Sequence, residues 1–197
     1  KKYLTFLFYF FSSFSFALNI HILVIGVEDG ISQQTVTSIY QNEFGIIWIG
    51  TKDGLNRYNG TDFYVFRPVK GDKNSLYNNN IGTICGDKQG HIYIRCKYAV
   101  VEYDIKKNTF HTIRDNDIQA ITYDNARLWV CTRDSLFTYN RVEDRLDYYY
   151  NLEGVRMSCV TEDSAGNLYV GTMNNGLYMI DHNKKWLNYF PKKDITC

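Results

Sequence analysis

The chain has 197 residues, enough for one domain or two small ones. Hydrophobic residues make up 45% and charged residues 22%, a composition that can form a packed core. The formal net charge of +1 gives no electrostatic reason to expect nucleic acid or an anionic membrane surface as a partner.

Aromatic residues reach 16%, with seventeen Tyr. Together with abundant Val, Ile and Thr they point to strands. No Ser/Gly-rich linker or charge run marks an internal boundary. The five cysteines, Cys85, Cys96, Cys131, Cys159 and Cys197, contain no CxxC pair and no metal spacing. The first four fall in predicted strands, where Cys serves as a small apolar filler. The odd count argues against a disulfide framework.

In chain order, Lys1-Lys2 precedes an uncharged run from Tyr3 to Leu18, and Ser15-Phe16-Ala17 offers a small-x-small cleavage site. Residues 1–17 therefore read as a secretory leader. The apolar core is short for a spanning helix, which needs about 20 residues. Ile20 to Val27 is also apolar apart from His21, so an uncleaved anchor stays open. Either way the rest of the chain is exported. Residues 18–35 are predicted as a lead-in, with an isolated strand over His21–Val27.

The rest of the chain is organised around Gly45 to Tyr58. Ile46-Ile47-Trp48-Ile49 suits a strand buried on both faces. Lys52-Asp53-Gly54 is turn chemistry, and Leu55 to Tyr58 resumes an extended pattern. Four repeats of strand, polar turn, strand, short turn, strand, turn and aromatic strand follow, over about 36–66, 81–113, 118–150 and 155–190. Their anchoring aromatics, Trp48, Tyr93, Trp129 and Tyr169, lie 45, 36 and 40 residues apart. A four-strand unit of about 40 residues is the signature of a propeller blade. The predicted fold is all-β: about four four-stranded antiparallel blades over 36–197, forming an incomplete, open propeller. Asp87, Asp124 and Asp163, with Asn42 in the same place, are expected to open type I turns, closed by Gly45, Gly90 and Gly166.

Val27 to Val36 followed by Gly45 to Gly60 resembles the start of a two-component regulator propeller. Asn74-Ser75-Leu76 resembles that family's linker between blades. Repeats two and three depart from the pattern, since Arg95-Cys96-Lys97-Tyr98 and Val130 to Ser135 lack its Gly-Thr and Gly-Leu pairs; Gly171-Thr172 and Gly176-Leu177 restore it. The resemblance implies a periplasmic sensor of Bacteroides-type hybrid two-component systems. It also implies a longer parent with two propellers, a β-sandwich, a membrane helix, a histidine kinase and response-regulator parts. On that reading the chain is a fragment or truncated product, and His21–Val27 is the outer strand of a missing last blade. The implied partners are an oligosaccharide, the remaining blades or a second propeller, and a homodimer that covers the open ends.

No phosphate loop, HExxH motif, histidine triad or nucleophile elbow is present, and neither cofactor nor metal is expected. In propellers, ligands favour the face made by the loops entering the inner strand and the turns between second and third strands. Those loops hold Gln33 and Gln34, Lys52 and Asp53, Asn79 and Asn80, Lys97 and Tyr98, Arg133 and Asp134, Arg156, and Asn174 and Asn175. Mixed charge there suits a neutral or weakly acidic glycan. A lyase or glycoside hydrolase would need a convergent acid/base set, for which the face offers only Asp53 and Asp134. A plain protein-interaction propeller is the third reading.

Overall fold

The computed structural model describes residues 22–188. The expected leader, residues 1–17, lies outside the described residues, as do His21 and residues 189–197. Among the described residues, sixteen strands form four antiparallel four-stranded sheets, each a meander in chain order. The first contains β1 (Val36–Gln41), β2 (Ile47–Thr51), β3 (Gly54–Tyr58) and β4 (Phe63–Phe66). The second contains β5 (Ile81–Gly86), β6 (His91–Cys96), β7 (Ala99–Asp104) and β8 (Thr109–Arg114). The third contains β9 (Ala120–Asp124), β10 (Arg127–Cys131), β11 (Ser135–Asn140) and β12 (Arg145–Asn151). The fourth contains β13 (Met157–Glu162), β14 (Leu168–Thr172), β15 (Leu177–Ile180) and β16 (Trp186–Asn188).

The first strands of successive sheets pack side by side, β1 on β5, β5 on β9 and β9 on β13, while β13 does not pack back on β1. The sheets thus radiate from one axis as blades of an open arc. Middle strands are covered on both faces, and all six residues of β7 are buried, whereas the outer strand β12 is nowhere fully buried. This is why the middle strands read as near-continuous apolar runs.

Three apolar seams hold the arc together. Between the first and second blades lie Trp48, Leu55, Leu76, Ile92, Ile94 and Tyr103. Tyr93, Ile121, Leu128 and Val130 fill the second seam. Trp129, Leu136, Met157, Leu168 and Val170 fill the third. The anchoring aromatics occupy equivalent ladder positions: Trp48 opposite Tyr40, Tyr93 opposite Cys85, Trp129 opposite Thr122 and Tyr169 opposite Thr161. Trp48, Tyr93 and Trp129 each point into the seam with the following blade, because residues alternate across a strand. Aromatic edges interlock in the first seam, where Trp48 meets Tyr103 edge-on at 5.3 Å and stacks on Phe66 at 5.9 Å.

The predicted lead-in strand is not formed. Ile22 to Gly26 carries no regular structure and Val27–Asp29 is a 3-10 turn. An outer strand needs a sheet edge to pair with, and the last blade that this segment was expected to complete is not among the described residues. Instead the chain just after it covers the first blade. Ile31 is buried, the Ser32 amide donates to Asn56 Oδ1 at 2.8 Å, and the Ser32 and Thr51 hydroxyls lie 2.7 Å apart.

Three of the four blade-opening turns follow the expected side-chain logic. Asn42 Oδ1 accepts the amides of Phe44 and Ile46 at 3.1 and 3.0 Å. Asp87 Oδ1 accepts those of Gln89 and His91 at 2.7 and 3.1 Å. Asp163 Oδ1 accepts those of Ala165 and Asn167, both at 2.9 Å. Gly45, Gly90 and Gly166 follow at φ 78°, 102° and 83°, left-handed backbone that glycine adopts without steric cost. Asp124 behaves differently. Its turn has only two residues, Asn125 and Ala126, before pairing resumes at Arg127. With no longer turn to cap, its Oδ2 crosses to the next blade and accepts Thr161 Oγ1 and the Glu162 amide, both at 3.0 Å.

Among the described cysteines, Cys85, Cys96, Cys131 and Cys159 are free thiols. Cys96 and Cys131 are buried fillers, and burial pushes the Cys96 thiol up to about 12. Cys159 is exposed, contrary to the filler expectation. It lies opposite Gly171 in register, on the face of the fourth blade that no further described sheet covers.

Candidate functional site

In an antiparallel meander the start of the first strand and the turn between the second and third strands lie at the same end. Backbone hydrogen bonds stitch these segments into one continuous surface. The Lys97 amide donates to Asn80 O at 2.8 Å, and the Ile118 amide to Tyr98 O at 3.0 Å. The Met157 amide donates to Arg133 O at 2.9 Å, the Leu152 amide to Asp134 O at 2.8 Å and the Met173 amide to Arg156 O at 2.9 Å. The second-to-third-strand turns are thereby tied to the entry loops of their own or the next blade.

Asp53 and Asn79 come together, with Asn79 Nδ2 donating to Asp53 Oδ1 at 3.2 Å. Arg67 pairs with the other oxygen of Asp53 at 2.9 Å. The Arg67 hydrogen bond holds the Asp53 carboxyl below the usual carboxylate range. Asp53 is therefore an ionised acceptor at neutral pH rather than an acid. Asp134 belongs to another blade, and Ser135 Oγ donates to it at 3.0 Å. Lys52 and Gln34 are exposed, while Gln33 Oε1 is buried without a hydrogen-bond partner. Asn174 and Asn175 sit in the turn of the fourth blade, where the Asn175 amide donates to Thr172 Oγ1 at 2.9 Å.

Asn80, Lys97 and Tyr98 line one cleft of about 470 Å³ together with Thr37, Ile81, Gly82 and Arg95. Tyr98 is 55% exposed, and Lys97 Nζ lies 6.0 Å from its ring centroid. Arg95 Nη1 donates to Lys97 O at 3.0 Å, and Arg95 Nε is buried without a partner. Burial also pulls the Arg95 guanidinium below its ordinary pKa. Sequence reasoning noted Arg95 only as a break in the repeat. That break was the available signal, since Gly50 and Gly171 hold the equivalent ladder positions.

Two other clefts escape the sequence reading. One of about 670 Å³ lies under the loop between the first two blades, lined by Pro68 to Lys70, Leu76, Tyr77 and His111. A second, of about 270 Å³, is rimmed by strand and turn residues of the second and third blades. There Arg141 Nε and Nη2 donate to the buried Glu102 carboxylate at 3.0 Å. His111 Nε2 and Tyr139 OH each meet Asp144 Oδ1 at 2.8 Å. Burial raises the Tyr139 hydroxyl above its ordinary pKa, helped by the neighbouring Asp144.

Four-stranded meanders radiating about one axis define the class: a β-propeller, present here as an open arc. Comparison with known proteins narrows this. Residues 30–53 match the two component regulator propeller family. A 48-residue stretch, 24% of the chain, is 42% identical to histidine kinase P4 of Formosa agariphila and spans 4% of that protein. The fold matches the extracellular domain of a candidate hybrid two component system from B. thetaiotaomicron, with a TM-score of 0.74 and 25% identity. That alignment covers 85% of this chain and 26% of that domain. Virginiamycin B lyase from Staphylococcus aureus shares the fold alone, with a TM-score of 0.65 and 13% identity over 81% of this chain and 57% of the lyase. The chain thus spans about a quarter of the matched extracellular domain and a small part of the matched kinase.

Proposed function

We propose that this chain is part of the ligand-sensing propeller of a hybrid two-component sensor, and that it recognises an oligosaccharide. The observation that carries the reading is the two component regulator propeller match at residues 30–53, joined to a polar face where entry loops and turns of all four blades meet. Sugar recognition needs an aromatic ring for the apolar sugar face and edge donors and acceptors for hydroxyls. Tyr98 with Asn80, Lys97 and Arg95 supplies that combination. The region acts by binding rather than by chemistry. It works on the outer side of the cytoplasmic membrane, in the periplasm, as part of a parent protein anchored there. Further blades, a second propeller or a second copy would cover its two end faces, and ligand-shifted packing between these units would carry the signal to a kinase.

The lyase likeness suggests the rival enzymatic reading, but Asp53 is bound by Arg67 and Asn79 and belongs to a different blade from Asp134. Calorimetric titration of the purified chain against a panel of plant and host oligosaccharides tests the proposal. One saccharide class should bind in the micromolar range, with no new product in the recovered ligand by chromatography. Turnover of a saccharide would establish the enzymatic reading instead, and a panel without any binder would leave a protein-interaction propeller.

A further inference from the structure

The second blade breaks its own repeat in a reciprocal way. In the first and fourth blades, Gly50 and Gly171 on the second strand face the register irregularity of the first strand, where Thr37 and Ser158 sit. A β-carbon on Gly50 would come within 2.6 Å of Ile81 Cγ2, and one on Gly171 would collide with Cys159 Sγ. In the second blade the sizes are exchanged: Arg95 stands where the glycine would be, and Gly82 occupies the irregularity. A β-carbon on Gly82 would collide with Arg95 Nη2. The absent side chain at position 82 is what lets the guanidinium lie down at the mouth of the axis. Such a local break with a matching compensation marks a site whose geometry serves something other than the fold.

We propose that the cleft around Arg95, Lys97, Tyr98 and Asn80 binds the anionic substituent, carboxylate or sulfate, of a sugar residue. This rests on the saccharide-sensing reading above and narrows it. No carboxylate lines the cleft. Among the described residues, neither Arg95 nor Lys97 is in an ion pair. Three acids at this end are already engaged. Asp53 is held by Arg67, Asp117 accepts the Arg133 amide and Gln119 Nε2, and Asp134 accepts Ser135 Oγ. The half-buried Arg95 guanidinium lines the cleft, and guanidinium N–H groups match the oxygens of carboxylate and sulfate. Burial has made its charge costly, and an anion offsets that cost. Lys97 adds a second charge, and Tyr98 gives the sugar ring a face to stack on.

The test titrates the full chain by calorimetry and Tyr fluorescence with three saccharides: an oligogalacturonate, a sulfated galactan oligosaccharide and its neutral galactan counterpart. At least one anionic saccharide should bind tenfold or more tightly than the neutral one, with affinity falling as salt rises. The two anionic arms separate a carboxylate from a sulfate requirement. Arg95→Met should weaken binding at least tenfold, as should Gly82→Ala, which keeps the charge but displaces it. Lys97→Asn serves as the variant safe for folding, because Lys97 lies in an exposed turn at φ 55° and Asn tolerates that backbone; it should also weaken binding at least tenfold. Unchanged circular dichroism confirms the fold of each variant. Equal affinity for neutral and anionic saccharides, or full affinity in Lys97→Asn and Arg95→Met, overturns the anion assignment and leaves saccharide sensing standing. Absence of any saccharide binding defeats both.

Discussion

At the scale of single residues, equivalent positions in different blades meet different fates. Trp129 Nε1 donates across its seam to Glu162 Oε2 at 2.7 Å. Trp48 holds the same ladder position, but its Nε1 is buried without a partner. The blade that follows Trp48 has Gly86 where Glu162 stands in the fourth blade, and the Tyr40 ring lies against that glycine. Both indoles are fully buried, so the packing lost on conversion to Phe is similar. The polar cost is not. Trp129→Phe strands the Glu162 carboxylate, and Trp48→Phe removes an already unmet donor. We predict that Trp129→Phe destabilises by about 1–2 kcal/mol more than Trp48→Phe in chemical denaturation, the range for losing a charged acceptor's partner. Equal costs would show that the Trp129–Glu162 bond contributes nothing net.

At the scale of elements, blades are joined by polar clamps as well as by apolar seams. Glu102 on β7 is only 6% exposed, and Arg141, from the turn after β11, closes on both of its oxygens. Asp104 adds a longer contact to the same guanidinium at 3.9 Å. Arg141→Met leaves Glu102 buried with no cation, which should cost about 2 kcal/mol, below the range for fully enclosed pairs because Arg141 is half exposed. Glu102→Leu combined with Arg141→Met should recover most of that loss, because the uncompensated charge is then gone. A double variant no more stable than Arg141→Met alone would refute the clamp account. The Glu102 and Arg141 partnership had no signature in the sequence. They lie 39 residues apart on different blades, and only stacking brings them together.

For the molecule as a whole, stability should be distributed seam by seam. Each blade touches only its neighbours, as in a repeat array. Leu76, 1% exposed, is driven into the first seam by the loop between blades. Its conversion to Ala should cost about 3 kcal/mol, the range for emptying a buried leucine site. Amide exchange should rise in the first two blades and stay nearly unchanged in the fourth. A uniform rise across all four blades would mean that the arc unfolds as one cooperative unit. The end blades also carry exposed apolar side chains, Ile39 and Phe44 on the first and Met173, Trp186 and Leu187 on the fourth. These are the surfaces that further blades or a second copy would cover in the proposed assembly.

The amino-acid order by itself determined the local alphabet. Apolar runs such as Ile46 to Ile49, punctuated by Asn42, Asp87, Asp163 and their glycines, specify strands and turns through short-range sterics and hydrogen bonding. Four repeats of that alphabet specify four sheets. It did not determine which side of each sheet meets which neighbour, why Asp124 leaves its turn for Glu162, or that residues 22–27 form no strand. Nor did it determine that Arg95, written as a flaw in the repeat, lies across Gly82 to shape a cationic cleft. Those outcomes depend on register and on blade stacking, which join atoms that the chain separates by tens of residues. Only packing in three dimensions sets such distances.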